Sequence, residues 1–366
     1  MKYCTGALIL APVYHLCCLK PVKKGLVVLA DGHQNTIPYS MELLRARLQQ
    51  IPSLEVVEYF HDYSFCGMLQ GLKIMVKFMT LYARAEYVFL CDSFVPTSSC
   101  KKRKGTTLIQ LWHSGGLMKK VGLDAPEDAV NMMKTQFRNT DVFTASSSVV
   151  SDVLSHALII PRSVFSEAGV SRMDILFDEA RNQRLRNEFD EKYPQFRGKK
   201  IVLWAPTFRG NVRNAYLVGA EAVQKLQQEL QESCAILIKT HRFGGGQDLN
   251  SPVDFTSNEL LPIADCLITD YSSIYFDYLA FRKPIILYAP DLEHYEANRG
   301  LYPDYRNMPG FVAENEAALR CGLLTMDTWA DENYHQQLDA LWAREMDYCD
   351  GHSTEKLLRQ IGIMND

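Results

Sequence analysis

The feature that most constrains the fold of this chain is a series of short apolar runs, each ending in a polar loop. Helix-like stretches separate many of them, as at 39–50, 69–84 and 220–231. The runs occupy residues 25–30, 54–59, 87–91, 107–112, 142–146 and 157–160, and then 201–205, 235–239, 266–269 and 285–288. Strand-length apolar runs that alternate with helices predict an α/β fold with parallel sheets.

The length of the chain indicates more than one domain. At 366 residues it exceeds what one hydrophobic core usually serves. A charged helical stretch at 177–189 and the segment Gly198-Lys199-Lys200 separate the two series of strands. We therefore expect two doubly wound, Rossmann-like domains facing each other across a cleft, with residues 1–180 in the first and 181–366 in the second. The last helical stretch, 353–363, could pack back on the first domain.

The composition excludes some classes of protein. A net charge of −4 argues against a dedicated nucleic-acid binder. The ten cysteines mostly stand singly in apolar runs, which is typical of reduced core thiols in a cytoplasmic protein.

Two apolar segments leave contact with a membrane open. Residues 7–19 are too short to span a bilayer, and they favour either a buried strand or an interfacial anchor. The helix predicted at 69–84 carries few charges, so it is either internal or lies on a lipid surface. The basic run 101–104 fits a solvated loop or a headgroup contact equally well.

The stretch 264–284 predicts a strand, a sharp turn and a helix. The strand covers Cys266 to Thr269, Asp270 breaks it, and a helix begins near Ser273. The start of a helix leaves backbone N–H groups unpaired, so the turn with Ser272 and Ser273 suits a phosphate. The alternative is that Asp270 or Ser272 only caps the helix.

Several loops of the second half bring phosphate-compatible groups to one edge of the predicted sheet. Arg209, the pair His241 and Arg242, and the Ser272-Ser273 turn each follow a strand. Loops after parallel strands open at the same edge, so these groups can converge on one ligand. The loops contain no Asp-X-Asp motif, and the carboxylates of Asp270 and Asp277 are too few to indicate a metal site.

A histidine in the first half would face that ligand. His113 follows the run 107–112, and Gly115 and Gly116 behind it permit close backbone approach. A histidine with a pKa near neutrality in such a place is suited to take a proton from an attacking hydroxyl group. The alternative is a structural loop histidine.

Five segments carry a resemblance to a known family. They are LWHSGGLMKKVG at 111–122, GVSRMD at 169–174, VLWAPTFRG at 202–210, IKTHRF at 238–243, and the stretch 267–305 with TDYSS and RGLYPDY. Together they resemble the CDP-glycerol:poly(glycerophosphate) glycerophosphotransferase family, which makes teichoic acids and capsules. The chain departs from the usual family pattern at Ser114, Ser171 and Arg242.

The resemblance implies a GT-B-like fold and a transferase that moves an alditol phosphate from CDP-glycerol to a hydroxyl group, releasing CMP. It implies a lipid-linked or polymeric glycan as acceptor, at the cytoplasmic face of the membrane. CDP-glycerol is then a substrate, and no cofactor is assigned.

The resemblance also assigns roles to residues. His113 matches the general base, and His241 matches a second essential histidine at the donor pyrophosphate. Arg209, Ser272 and Ser273 match the family's phosphate contacts, and we expect Arg242 and Thr269 to contact the donor phosphate as well. The supporting residues are Gly115, Gly116, Arg172, Asp270 and Asp277.

Three alternatives stay open. The donor could be CDP-ribitol. The same cleft could serve a GT-B glycosyltransferase or epimerase that uses a UDP-sugar. The chain could also be a catalytically idle assembly factor at the membrane.

Overall fold

The computed structural model of the chain describes residues 2–63, 66–126, 136–210, 214–239 and 252–365, with side chains from residue 8 onward. Its framework consists of two sheets in which every described strand pair is parallel. The first sheet has six strands in the order β2-β1-β3-β4-β5-β6, and the second has five in the order β11-β10-β9-β7-β8.

The strands follow the chain in two groups. Those of the first sheet are β1 (Leu26–Asp31), β2 (Glu55–Phe60), β3 (Tyr87–Leu90), β4 (Thr107–Gln110), β5 (Val142–Thr144) and β6 (Phe165–Ser166). Those of the second are β7 (Lys200–Ala205), β8 (Cys234–Ile238), β9 (Cys266–Thr269), β10 (Ile285–Tyr288) and β11 (Phe311–Ala313).

Helices connect and cover these strands. In the described residues they are α1 (Lys2–Cys17), α2 (Tyr39–Gln49), α3 (Met68–Tyr82), α4 (Val95–Ser98), α5 (Ser148–Ala157), α6 (Ser171–Asp174), α7 (Glu179–Lys192), α8 (Ala220–Glu229), α9 (Ser257–Leu260), α10 (Ile274–Tyr278), α11 (Leu292–Arg299), α12 (Glu316–Leu324), α13 (Met326–Trp329), α14 (Glu332–Glu345) and α15 (Ser353–Gln360).

The first sheet is buried on both faces because its strands are apolar throughout. In β1, Leu26 and Val28 enter one hydrophobic cluster, which includes residues of α1 and α3. Val27 and Leu29 enter another cluster, which includes residues of α2 and α15. Alternate residues of a strand point to opposite faces, so this division shows helices on both sides of the sheet.

The second sheet is covered in the same way. Leu203 of β7 packs in a cluster on one face, whereas Val202 and Trp204 pack on the other with residues of α8 and α12. Two doubly wound parallel sheets therefore confirm the predicted α/β fold class.

The last helix packs on the first sheet, through Leu357 and Leu358. Asp174 holds its N-terminus: one carboxylate oxygen accepts from the backbone N–H of Ser353, and the other from the N–H and hydroxyl of Thr354. These bonds satisfy backbone donors that a helix start leaves unpaired.

Two expectations about local structure are wrong, and one strand was not predicted. Residues 157–160 form the end of α5 and a turn in which Ile159 has φ 56°, and the strand there is instead Phe165–Ser166. The buried strand considered for 7–19 is a helix, in which Leu10 and Tyr14 face the core. The edge strand Phe311–Ala313 was not predicted, because three residues give too little pattern.

The basic run is partly structural. The guanidinium of Arg103 donates to the carbonyl oxygens of Lys20 and Ala83, and the amine of Lys102 donates to the carbonyl oxygen of Thr106 and pairs with Asp141. Within the described chain, no helix combines the length and the apolar character needed to cross a membrane. The cysteines whose side chains are described are all unpaired, and Cys91, Cys234 and Cys266 are buried.

Candidate active site

A cleft of about 670 Å³ lies between the two sheets and is lined by residues of both. The first half contributes Asp31 at the end of β1, and Asp92 and His113 in the loops after β3 and β4. The second half contributes the loop after β7 and the Ser272-Ser273 turn after β9. Ligand sites of open parallel sheets lie at this carboxyl edge.

The loop after β4 has a tightly constrained backbone. Trp112 has φ 59°, a left-handed conformation that is costly for a residue with a side chain. Gly116 has φ 56°, and a Cβ atom placed on it would lie 2.2 Å from the ring of Phe276. A Cβ atom on Gly115 would lie 2.6 Å from the side chain of Met346. Both glycines therefore let this loop pack directly on residues of the second half.

Hydrogen bonds from distant segments hold the same loop. The backbone N–H of Gly116 donates to the hydroxyl of Ser146 at 3.0 Å. The N–H of Leu117 donates to the buried carboxylate of Glu345 at 2.9 Å. A guanidinium nitrogen of Arg172 donates to the carbonyl oxygen of His113. Hydrogen bonds to the backbone of this loop thus fix the position of His113.

The side chain of His113 projects into the cleft and remains 48% exposed. Its Nδ1 atom lies 3.7 Å from Oδ2 of Asp92. Desolvation between the walls of the cleft lowers the pKa of His113; Asp92 opposes this shift, and the positive charges of Arg172 and Lys119 add to it. A histidine with a lowered pKa is neutral near pH 7 and can accept a proton.

Arg172 connects this loop to the second half. Its guanidinium donates to Asp277 at 2.5 Å, and Asp277 is buried in the first turn of α10. Burial raises the pKa of Asp277 and Arg172 lowers it, so the ion pair offsets part of the desolvation. Because Arg172 also binds the carbonyl oxygen of His113, one side chain links the histidine loop to the helix that follows the serine turn.

The structure places Arg209 differently from the expectation. Its side chain is only 8% exposed and does not line the cleft. The guanidinium donates to Asp291 at 2.7 and 3.0 Å, to Asp270 at 3.1 Å and to the carbonyl oxygen of Thr207 at 2.6 Å. The rings of Tyr271 and Tyr295 lie 4.9 and 4.7 Å from it. In this arrangement Arg209 braces the loop and does not offer its donors to the cleft.

Asp270 and Thr269 are also engaged inside the protein. One oxygen of Asp270 accepts from the backbone N–H groups of Thr207 and Tyr271, and the other accepts from Arg209. The hydroxyl of Thr269 donates to the carbonyl oxygen of Ala205 at 2.7 Å. Both residues therefore fasten β9 and its turn to the loop after β7.

Ser272 and Ser273 do line the cleft. Ser273 precedes α10, and its hydroxyl makes no capping bond to that helix. The helix has five residues, so its dipole attracts an anion less strongly than the dipole of a long helix would. His241 and Arg242 lie outside the described residues. In the described part of the chain, no group of three or more His, Cys, Asp or Glu side chains is arranged to hold a metal ion.

Sequence reasoning missed several cleft residues. Asp92 lies just beyond β3, and Lys119 lies in the segment 111–122 that carried the resemblance. Arg299 ends α11 and also lines the cleft. The polar residues directly after the first-half strands were a usable signal for Asp92, since adjacent parallel strands bring such positions together. No local pattern distinguishes Lys119 or Arg299 from surface cations.

Comparison with known proteins identifies relatives across nearly the whole chain. The sequence profile of the CDP-glycerol:poly(glycerophosphate) glycerophosphotransferase family matches residues 13–362. The teichoic acid poly(ribitol-phosphate) polymerase of Bacillus spizizenii is 28% identical over 95% of this chain and 58% of its own length. The teichoic acid glycerol-phosphate primase of Bacillus subtilis is 28% identical over 78% of this chain and 76% of its own length.

The fold has a counterpart among solved structures. The wall teichoic acid polymerase TagF aligns with a TM-score of 0.76 at 20% identity, covering 98% of this chain and 95% of the solved chain. The predicted GT-B-like fold is thereby confirmed. The chain spans between 52% and 58% of the length of three ribitol-phosphate polymerases that it matches.

Proposed function

The chain belongs to the CDP-glycerol:poly(glycerophosphate) glycerophosphotransferase family, and from this premise we propose that it transfers glycerol phosphate from CDP-glycerol to a hydroxyl group of a teichoic-acid or capsule acceptor. The acceptor is a lipid-linked or polymeric glycan, and CMP is the second product. The observation that supports this most is a cleft lined both by His113 from the first half and by the Ser272-Ser273 turn from the second.

His113 acts as the general base in this proposal. The acceptor hydroxyl attacks the β-phosphorus of CDP-glycerol while a ring nitrogen of His113 takes its proton. The new bond joins the acceptor oxygen to the β-phosphorus, and the bond from that phosphorus to the bridging oxygen breaks. CMP leaves with the electron pair. A positioned base of this kind contributes roughly a hundredfold to ten-thousandfold in rate.

The second half would hold the donor. Ser272 and Ser273 offer hydroxyl groups at the cleft wall to the pyrophosphate. By family resemblance, His241 would contact the same pyrophosphate. Arg242, where the chain departs from the family pattern, would add a positive charge beside it, and both would offset the charge that develops on CMP. Arg209, Asp270 and Thr269 would act through the loops that they fasten, since their polar groups already bind protein partners.

CDP-ribitol is a second candidate donor. Two relatives that align over more than 90% of this chain carry ribitol phosphate in their names, the polymerase and the primase of Bacillus spizizenii. A pocket built for the shorter alditol rejects a longer one by steric conflict, and a pocket built for the longer one leaves polar groups unpaired with the shorter. Donor binding therefore discriminates between them.

Calorimetric titration with CDP-glycerol, CDP-ribitol and UDP-N-acetylglucosamine tests the proposal. We expect CDP-glycerol to bind most tightly, with weaker binding in the variant His241→Ala. Tighter binding of CDP-ribitol would mean that CDP-ribitol is the donor in the same type of reaction. Binding of the UDP-sugar alone would contradict phosphotransfer and favour a glycosyltransferase or epimerase.

We also propose that the protein acts at the cytoplasmic face of the membrane, through the surface formed by α1 and α3. Large apolar side chains are exposed on these helices and just after α1, with Met68 at 87% and Leu19 at 81%. Leu8, Leu16 and Leu69 are exposed as well, and the lysines Lys20, Lys73 and Lys77 are exposed on or next to the same helices. Apolar side chains flanked by lysines suit an anionic lipid surface.

Sedimentation with vesicles tests this surface. We expect the protein to sediment with vesicles that contain phosphatidylglycerol, and the variant Leu19→Glu with Met68→Glu to stay in the supernatant. The control Leu324→Glu changes an exposed leucine of the second half and should sediment like the wild type. Equal sedimentation of all three proteins would contradict the assignment of the surface.

A further inference from the structure

Two cations of the cleft have no carboxylate partner in the described chain. Among the described residues, four Lys and Arg side chains line the cleft, Lys119, Arg172, Lys239 and Arg299. Arg172 pairs with Asp277, and the amine of Lys239 donates to a backbone carbonyl oxygen. Neither Lys119 nor Arg299 forms an ion pair or a side-chain hydrogen bond with any residue that the structure describes.

A short two-stranded ribbon between the halves holds these two residues. The N–H of Lys120 donates to the carbonyl oxygen of Gly300 at 3.1 Å, and the N–H of Tyr302 donates to that of Met118 at 2.9 Å. Lys119 faces Leu301 in this antiparallel bridge. Lys119 thus comes from the histidine loop, and Arg299 directly precedes the opposite strand of the ribbon.

The ribbon gathers positive charge in a partly desolvated place. Burial lowers the pKa of Lys119 to about 8, Arg299 and Arg209 lower it as well, and Asp270 partly opposes the shift. Asp270 is itself bound by Arg209. Cations held close together at a cleft wall repel each other when the carboxylate nearby is already paired with another cation, and a bound anion relieves that repulsion.

We propose that Lys119 and Arg299 form a phosphate-binding subsite in the cleft, made jointly by the two halves of the protein. This inference rests on the proposed function for the source of the phosphate, either the pyrophosphate of the CDP-alditol donor or a phosphodiester of the acceptor. Both present ionised phosphate oxygens to a guanidinium fork and an ammonium group.

Titration with inorganic pyrophosphate tests the subsite without any assumption about the reaction. We expect the variants Lys119→Gln and Arg299→Gln to bind pyrophosphate about tenfold more weakly than the wild type, because each removes a charge-assisted hydrogen bond. The control Lys120→Gln removes a positive charge from the next residue, which does not line the cleft, and should bind as the wild type does. The proposal would be overturned if the wild type did not bind pyrophosphate, or if all the variants bound it equally well.

The pH dependence adds a readout that a purely structural role would not change. Lys119 loses its proton as the pH rises above about 8, whereas an arginine in its place stays charged. The charged and titratable groups around it are Asp270, Arg209, Arg299 and His113. The wild type and Lys119→Arg share these groups, so the ratio of their affinities between pH 7 and pH 10 reports on Lys119. Raising the pH through that range should therefore weaken pyrophosphate binding by the wild type relative to Lys119→Arg. If the ratio of the two affinities did not change with pH, a contact between Lys119 and pyrophosphate would be contradicted.

Two further measurements identify the source of the phosphate. Weaker binding of CDP-glycerol by Lys119→Gln and Arg299→Gln assigns the subsite to the donor, and a raised KM for the acceptor assigns it to the acceptor. If the wild type turns over and the two variants change neither the affinity for CDP-glycerol nor the KM for the acceptor, the subsite is overturned. If the wild type binds pyrophosphate through these residues but releases no CMP, the proposed function fails and the subsite stands.

Discussion

Oδ2 of Asp92 lies 3.7 Å from Nδ1 of His113, at the carboxyl ends of the adjacent strands β3 and β4. The other carboxylate oxygen of Asp92 accepts from the backbone N–H of Ser93, which fixes its orientation. A carboxylate that faces Nδ1 favours the tautomer with its proton there and leaves Nε2 free to accept one. Asp92 is therefore a positioning residue for the proposed base.

Replacing Asp92 with Asn should change the pH dependence of turnover. The negative charge of Asp92 raises the pKa of His113, so its removal should lower that pKa further. Activity that requires neutral His113 rises as the pH increases through this pKa, so the acid limb should move to lower pH. The maximal rate should also fall, because a neutral amide stabilises protonated His113 less.

The measurement for Asp92→Asn is kcat/KM against pH, with Asp152→Asn as control. Asp152 is exposed and pairs with Arg162, which does not line the cleft. An acid limb that stays in place, or moves to higher pH, would exclude Asp92 as a partner of the base.

Removing Arg209 should destabilise the protein strongly. The variant Arg209→Ala leaves the buried Asp270 and the half-buried Asp291 without their cation. Breaking a buried ion pair from one side costs about 3 kcal/mol or more. Chemical denaturation gives the free energy of unfolding. The control Lys225→Ala breaks an exposed pair with Glu316 and should cost less than about 1 kcal/mol. Equal losses for the two variants would contradict the bracing role.

A methyl group on Gly116 should displace the histidine loop. The variant Gly116→Ala combines an unfavourable φ of 56° with a contact of 2.2 Å to the ring of Phe276. Gly198→Ala is a matched control, since Gly198 has φ 78° and nothing lies within 4 Å of its Cβ position. Both substitutions place a Cβ atom on a left-handed backbone, which costs about 1 kcal/mol. Only Gly116→Ala should also reduce turnover, and equal turnover in the two variants would contradict the close packing.

The sequence predicted the sheets better than the site, for a physical reason. Runs such as Cys266–Thr269 and Ile285–Tyr288 are buried on both faces, so their composition alone marks them as strands of a parallel sheet. The strand expected at 157–160 was wrong because its apolar residues close helix α5, and an apolar turn has the same local pattern as a short strand.

Arg209 shows why the site was harder to predict. An arginine in a loop after a strand is equally compatible with a phosphate and with an internal ion pair. Its partner Asp291 lies 82 residues further along the chain, so no local pattern distinguishes the two. Lys119 and Arg299 present the opposite case, because only the fold brings them to one cleft wall, where no described carboxylate forms an ion pair with them. By contrast, His113, Ser272 and Ser273 follow strands directly, and the sheet topology was sufficient to predict that they face one cleft.

The most direct test of the account is a paired measurement on the wild type and His113→Ala, of CDP-glycerol binding and of CMP release in the presence of an acceptor. The account predicts that His113→Ala binds the donor nearly as the wild type does, while CMP release falls at least about a hundredfold. A loss of donor binding that matches the loss of turnover would contradict His113 as the base. CMP release that persists at the wild-type rate would contradict the proposed reaction centre.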